Sequence, residues 1–423
     1  MKKLLFSIVM IFLSMPTTWS CLKNDPASPA NGKGTTQNNE IASMYANMPA
    51  ADKTGMSSDA FALAAKLSIG WNLGNSLEAY DDGTDPTASE TSWRNPITTK
   101  EMIDSVAAAG FKTVRIPVRW YPHMTEQGDT IHIDAKWLAR VKEVIQYCLD
   151  DGLYVIINTH HEFWLENHPF YADSASVYQR ERKLWTQIAT IFRNYDEHLL
   201  FAGTNEVHLS GTTTPGSPEN YAVQNGYNQI FVNTVRATGG KNAYRNLIVQ
   251  TYRADANWGT DPFKIPTDVT PNRMMIEVHY YDPWNYCGMD STKFWGAPYK
   301  AKGVDKDGQE ADMEKCFAKL KTLYVDKGYP VIMGEYGVVR HSAPSARLSG
   351  AVRASRAYYL GTLVQKALSK GIIPFFWDNG YAGIGEDQFA LFNRRDHMKQ
   401  VDASAIAAIM KSVKTNKVKY RNR

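Results

Sequence analysis

From about residue 60 the chain alternates short apolar runs with longer segments whose apolar residues recur every three to four positions. The runs are SIGWN (68–72), TVRIPV (113–118), YVIINTH (154–160), LLFAGTNE (199–206), NLIVQTY (246–252), MMIEVHYY (274–281), PVIMGEYG (330–337) and IIPFFWDN (372–379). Several are continuously apolar, as strands covered on both faces must be. Amphipathic helical patterns separate most of them, for example at 133–152, 176–195 and 355–371. Gly110, Gly152, Gly328 and Gly371 fall where a left-handed residue closes a helix before the next strand. Strands joined by crossover helices run parallel. Eight such units predict an α/β fold, a (β/α)8 TIM barrel forming one catalytic domain over 51–415. A doubly wound nucleotide-binding sheet is disfavoured, because NLGNSLEAY after the first run lacks the G-x-G-x-x-G spacing.

The chain's beginning reads differently. Lys2 and Lys3, the apolar run from Leu4 to Leu13 and the small residues after it make 1–20 a secretory signal, with an apolar run too short to span a bilayer. Cys21 follows Ser20 as the acylated cysteine of a bacterial lipoprotein would, although Thr18 and Trp19 fit that signal loosely. Lipid tethering through Cys21 and plain secretion both stay open. Residues 21–50 have the Asn, Pro, Ser, Gly and Thr content of a flexible tether, and 416–423 form a basic tail. Export across a bacterial inner membrane is expected, to the periplasm, the outer membrane or the medium. Cys148, Cys287 and Cys316 are odd in number and irregular in spacing, so neither a disulfide framework nor a zinc site is expected.

Composition sharpens this picture in two ways. The 47 basic and 43 acidic residues leave a formal charge of +4, too weak a field to suggest a nucleic-acid partner. Aromatic residues make up 12% of the chain, which suits a cleft that stacks flat, weakly polar ligands.

The apolar runs end abruptly in chemically capable residues: Asn72, Arg115 with Arg119, His160 with His161, Asn205 with Glu206, His279 with Tyr281, Glu335, and Trp377. In a barrel these strand ends converge on the face that carries active sites. Any one of them has a bland explanation as a solvated turn or core group; the recurrence at one end of so many strands does not. Glu206 and Glu335 belong to the fourth and seventh strands, across the ring from each other. Two facing carboxylates are what glycoside cleavage needs, one to protonate the leaving oxygen and one to attack or to activate water. Asn205 is then placed to bond a sugar 2-hydroxyl, and Arg115 and Tyr281 to keep Glu335 ionised. His160 and His279 line the subsite or hold the carboxylates, and Trp377 is a stacking floor. A non-catalytic carbohydrate-binding barrel is one rival reading, expected to lack one of the two carboxylates, and metal chemistry, suggested by NTHHE (158–162), is the other. Adjacent histidines on a strand point to opposite faces, however, so only one should enter the site.

These motifs are similar to those of glycoside hydrolase family five, the cellulase-type barrels, over about residues 55–412. LLFAGTNEVH (199–208) resembles the family's acid/base segment and VIMGEYG (331–337) its nucleophile segment. TVRIPVRW (113–120), IINTHHE (156–162), EVHYYDPW (277–284) and PFFWDNG (374–380) match the remaining positions. The resemblance implies Glu206 as proton donor and base, Glu335 as nucleophile, and Arg115, His160, His279, Tyr281 and Trp377 around them. GWNLGNSLEAY (70–80) and ETSWRNP (90–96) look like a subgroup of bacterial endoglucanases, lichenases and xyloglucan-active enzymes. Ala202, where an acidic residue is common, and Val207, where Pro is frequent, depart from the pattern and bear on the tuning of Glu206. The expectation is a retaining, endo-acting β-1,4-glucan hydrolase, monomeric, with no metal or organic cofactor and a β-glucan polysaccharide as its partner. Soluble or amorphous glucans are expected substrates, with xyloglucan, mixed-linkage glucan or mannan specificity as alternatives on the same residues. Trp93, Trp164, Trp258 and Trp284 are candidates for outer stacking positions along a groove.

Overall fold

The computed structural model describes residues 48–81, 85–209, 215–416, 418 and 420. The signal, most of the tether with Cys21, and most of the basic tail lie outside them. Eight parallel strands close into a barrel: β1 (Gly70–Leu73), β2 (Thr113–Ile116), β3 (Tyr154–Ile157), β4 (Leu199–Ala202), β5 (Leu247–Asp255), β6 (Met274–Tyr280), β7 (Val331–Tyr336) and β8 (Ile372–Asp378). Neighbours in sequence are neighbours in the ring, and β8 pairs with β1 to close it. Each apolar run of the sequence supplies one strand. Helices follow seven of the eight: α1 (Lys100–Ala108), α2 (Ala135–Asp150), α3 (Tyr171–Ile191), α4 (Pro218–Ala237), α5 (Glu310–Leu323), α6 (Ser349–Ser369) and α7 (Ala403–Thr415). The β5–β6 connection carries no helix, because 256–273 is crowded with Gly, Pro, Thr and Asp and offers no apolar period. No helix among the described residues is long and apolar enough to cross a membrane.

Local chemistry explains the boundaries. Asp134 caps α2 by accepting from Lys136 N and Trp137 N, and Ser217 with Asn220 forms a capping box at α4. Gly110, Gly152, Gly328 and Gly371 all adopt positive φ, as the helix-closing role requires. The helix Ala60–Leu67 stops the N-terminal end of the barrel. Asn246 Nδ2 and Arg273 Nη1 both donate to Ser58 O ahead of that helix, and Thr113 Oγ1 donates to Leu67 O at its end. Cys148, Cys287 and Cys316 are buried and unpaired.

Two register details position the site. Asn72 is level with both Arg115 on β2 and Trp377 on β8. Between β6 and β7 the register shifts after Val278–Met333, which brings His279 level with Glu335. The extra residue is Gly334, so a bulge re-aims the strand end as bulges near active sites do.

Close packing between β1 and β8 gives the first prediction. A Cβ at Gly70 would lie 1.9 Å from the ring of Phe375, a fully buried side chain. Gly70→Ala should lower unfolding free energy by about 1–3 kcal/mol, the cost of overpacking a filled core, measured by urea denaturation. An unchanged midpoint would mean that the barrel wall yields where it is described as rigid.

Candidate active site

At the C-terminal ends of the strands the polar residues form one connected network around a buried guanidinium. Arg115 on β2 is fully buried. Its Nη1 donates to Asn72 Oδ1 and to Glu335 Oε1, both at 3.0 Å, and its Nη2 donates to Asn205 Oδ1 at 2.9 Å. Its Nε lies 3.0 Å from Glu277 Oε1, an ion pair without the alignment of a hydrogen bond. Asn72 is held in turn by donating to Gly334 O at 2.8 Å and Phe376 O at 3.2 Å. One guanidinium therefore ties five barrel strands or their ends together.

The two predicted carboxylates meet at His279. Its Nδ1 is 2.6 Å from Glu206 Oε1 and 3.7 Å from Glu335 Oε2. A carboxylate oxygen of each glutamate and a ring nitrogen of His279 lie within 4.8 Å of one another. Tyr281 donates to Glu335 Oε2 at 3.1 Å. Glu335 is nearly enclosed, whereas about a third of the Glu206 side chain (34%) reaches solvent.

Charge states follow from these contacts. Burial alone would lower the pKa of His279, but the carboxylates of Glu335, Glu206 and Glu277 outweigh it and raise the imidazole to about 10. Burial would raise Glu206; the short bond to His279 and that residue's charge reverse the direction and lower it. Glu335 is raised by burial, against the opposing pull of His279 and Arg115. Arg115 and Tyr281 both touch Glu335 and favour its ionised form, as expected, while desolvation and the neighbouring Glu206 charge set the net direction upward. The Glu206–His279 pair shares one proton across a 2.6 Å bond, so its titration belongs to the pair.

His160 and Trp377 stack nearly parallel, 12° apart with centroids at 6.1 Å. Burial holds His160 neutral, well below its ordinary value. The alternation argument for the adjacent histidines needs correction. Both histidines lie beyond the last residue of β3, and His161 turns to φ +55°, so strand alternation does not separate them. Their rings meet edge to face at 4.5 Å, and His161 also packs on Trp93 and Phe163. Burial depresses the His161 pKa to about 4.

The outer tryptophans divide into two kinds. Trp284 is 55% exposed beside Tyr281, and Trp93 is partly exposed in a cluster with Tyr80 and His161. Trp164 and Trp258 are half-buried and pack against a small cluster that includes Leu165, Val207 and Tyr252: the Trp164 indole donates to Glu162 at 2.5 Å, and Trp258 packs against Tyr252. Trp93 lies in the connection after β1 and Trp284 in the connection after β6, beside Tyr281, which bonds Glu335. Ala202 and Val207 are fully buried apolar positions, Ala202 in the main core and Val207 in a small cluster with Leu165 and Tyr227.

Three features escaped the sequence reading: Glu277, Gln250 and the Tyr80–Phe163 pair with Arg119 over the Tyr80 ring at 4.1 Å. A signal for Glu277 existed, since it lies two residues before His279 and a strand repeats its face every two residues. Among the described residues, Glu206, His279 and Glu335 are the one such group near enough to hold an ion. Arg115 beside Glu335 and the raised pKa of His279 make that spot unwelcoming to a second cation.

Removing the guanidinium should expose what it balances. Arg115→Met leaves the buried Glu277 and Glu335 with His279 as the one cation near both, and breaking the Arg115 pairs costs about 3–5 kcal/mol. Equilibrium unfolding at pH 7 should record that loss. The penalty should shrink towards pH 4, because a protonated carboxyl needs no counter-charge. A loss independent of pH would contradict the charge-balancing role.

Comparison with known proteins agrees with this arrangement. Residues 77–383 match the family model described as cellulase, glycosyl hydrolase family 5. The chain is 40% identical over 378 residues to a xyloglucan-specific endo-β-1,4-glucanase of Bacteroides ovatus, covering 87% of this chain and 73% of that protein. It is 38% identical over 337 residues to endoglucanase B of Clostridium cellulovorans, covering 78% and 71%. Among solved structures, a Bacteroides ovatus xyloglucanase bound to a XXXG heptasaccharide superposes with a TM-score of 0.79 at 38% identity, covering 86% of this chain and 79% of that one. A broad-specificity endoglucanase of Ruminococcus champanellensis with bound cellotriose gives 0.73 at 35% identity, covering 84% and 98%. With the barrel, the paired glutamates and these matches together, the chain belongs to the cellulase family, glycosyl hydrolase family 5.

Proposed function

We propose that the protein is an endo-acting β-1,4-glucan hydrolase working by double displacement with retention of configuration. The observation that carries this reading is the approach of Glu206 and Glu335, with carboxylate oxygens inside 4.8 Å. Retaining enzymes hold their two carboxyl groups roughly 5–5.5 Å apart, and inverting ones about 6.5–9.5 Å to admit a water. Glu335, enclosed and aimed by Arg115 and Tyr281, attacks the anomeric carbon. Its negative charge is neutralised as the bond to carbon forms, which the buried setting favours. Glu206, the carboxylate open to the cleft, passes the proton it shares with His279 to the departing oxygen. The same pair then takes a proton from the water that releases the glycosyl enzyme. Asn205, fixed by Arg115, supports the 2-hydroxyl, and Trp377 on His160 forms the floor under the reacting sugar.

Trp93 and Trp284, in the connections after β1 and β6, support binding of an internal stretch of polymer. Relatives named xyloglucanase and endoglucanase favour a β-glucan substrate, so xyloglucan is the substrate to test beside mixed-linkage glucan and carboxymethyl cellulose. The signal-like segment and Cys21 support export and surface tethering, and the protein is proposed to act as a monomer.

The roles separate by experiment. Glu335→Ala should abolish turnover of all substrates, since no covalent intermediate forms. Glu206→Ala should cut hydrolysis of natural glucans by about 10²–10⁴-fold, yet spare the first step on aryl glycosides with activated leaving groups. Equal losses for both variants on both substrates would reverse or remove the assignment. Proton NMR of the first product should show the β-anomer; an initial α-anomer would sink the retaining mechanism. Activity should survive exhaustive chelation, whereas loss restored by added zinc or manganese would move the three clustered side chains into a ligand role.

The groove makes its own prediction. Trp377→Ala should cut turnover even on short oligosaccharides. Trp93→Ala and Trp284→Ala should penalise long glucans more than short ones, because remote binding acts through positioning. Equal effects on short and long chains would favour an exo-acting pocket.

A further inference from the structure

Glu277 is the carboxylate of this network that the proposed reaction does not use. It is fully buried on β6, two residues before His279 and on the same inward face. Its Oε1 lies 3.0 Å from Arg115 Nε and 3.4 Å from His279 Nε2, while its Oε2 accepts from Gln250 Nε2 at 2.6 Å. Gln250 cannot turn its amide, because Gln250 Oε1 accepts from Thr204 N and Thr204 Oγ1 at 2.9 and 3.1 Å. Space for the carboxylate comes from the bulge residue of β7. A Cβ at Gly334 would fall 1.9 Å from Glu277 Oε1, immediately before the nucleophile in sequence. A buried carboxylate persists only when it is paired and hydrogen-bonded. Here both ionic partners are groups that touch the reacting glutamates.

We propose that Glu277 is a positioning residue of the reaction: it grips the Nε edge of Arg115 and the Nε2 edge of His279, so that His279 Nδ1 faces Glu206 with the transferable proton and Arg115 stays level with Glu335. The imidazole has two nitrogens with distinct tasks, and the partner of one decides what the other does. With Nε2–H committed to Glu277, Nδ1 either donates to the Glu206 carboxylate or accepts from its acid form, which lets the proton move within one hydrogen bond. This inference rests on the two-carboxylate reading above.

The groups facing Glu277 fix the sign of its electrostatic effect. Arg115 on β2 and His279 on β6 are the cations, Gln250 on β5 is neutral, and neutral His160 lies beyond β3. Glu335 on β7 and Glu206 beyond β4 are reached through the two cations, and Tyr281 contacts Glu335. The Glu277 charge favours retention of the Glu206–His279 proton. It also offsets the attraction of Arg115 for the Glu335 anion. Removing that charge lowers the proton affinity of the pair and of Glu335 alike. Both limbs of the pH profile must then move the same way, to lower pH.

Glu277→Gln keeps the shape and removes the charge, while Glu277→Asp keeps the charge and shortens the reach. On a soluble glucan oligosaccharide, Glu277→Gln should lower kcat by about ten- to a hundredfold, as loss of a supporting partner does, with KM little changed. Both limbs of its kcat/KM profile should shift down by about one pH unit or more. Glu277→Asp should keep its limbs near those of the unaltered enzyme. A purely structural role would lower Tm in both variants and leave the limbs in place; that result in a folded Glu277→Gln protein overturns the proposal. A second measurement needs no variant. Nitrogen-15 NMR of the His279 imidazole in the full protein should find Nε2 protonated at neutral pH, and an unprotonated Nε2 overturns the proposal even where Glu277→Gln fails to fold. Because Glu335→Ala is tested separately, an inert Glu335→Ala beside an unshifted Glu277→Gln would reject this inference and keep the two-carboxylate mechanism.

Discussion

A buried guanidinium is costly to desolvate, and everything around Arg115 reads as the means of meeting that cost. Two carboxylates face it, two asparagines accept from it, and those asparagines lie on or beyond other strands. Because its five donors sit in a rigid planar fork, the partners must come to fixed positions. Lys could supply charge but not that geometry. The consequence is mechanical as well as electrostatic: β1, β2, β6, β7 and the end of β4 are held in one register at the barrel mouth. Asn72 closes the loop by donating to Gly334 O, the backbone just before Glu335. The attacking residue is thus clamped from its side chain and from its chain neighbour.

The barrel mouth separates two kinds of surface. Its floor is charged, enclosed and cross-linked by short polar contacts, with Glu335 at its centre. Its walls are aromatic and reach solvent, with Tyr80, Trp93 and Phe163 in one cluster and Tyr281 and Trp284 in another. A floor of this kind tolerates little movement, since a buried charge left unpaired is strongly destabilising. The walls carry no such constraint, because stacking against a sugar face accepts a range of positions and substituents.

Much of this was legible in the chain. The eight apolar runs give the eight strands, the four glycines close the preceding turns, and Arg115, Asn205, Glu206, His279, Tyr281 and Glu335 converge as their places at strand ends require. What stayed hidden depends on geometry that periodicity does not encode. Alternation separates His160 from His161 only if the strand continues, and it stops short of them, with a left-handed backbone at His161. The Gly334 bulge, which sets His279 level with Glu335, looks in sequence like an ordinary glycine in an apolar run. Trp164 and Trp258 are chemically equal to Trp93 and Trp284, and only tertiary packing shows that they lie against a second small apolar cluster. For Glu335 a sequence shows the neighbours that favour ionisation, Arg115 and Tyr281, but not the depth of burial that opposes them.

The central claim is that the enclosed Glu335 forms a covalent bond to the sugar while the half-buried Glu206 manages the proton. Trapping that bond is the most direct test. A cello-oligosaccharide donor carrying fluorine at C2 and a fluoride or dinitrophenolate leaving group allows the first step and slows the second. After incubation, proteolysis and mass spectrometry, the account predicts a single glycosylated peptide containing VIMGEYG, with the sugar on Glu335. A label on Glu206 or Glu277, or full turnover with no adduct at any time, would contradict it.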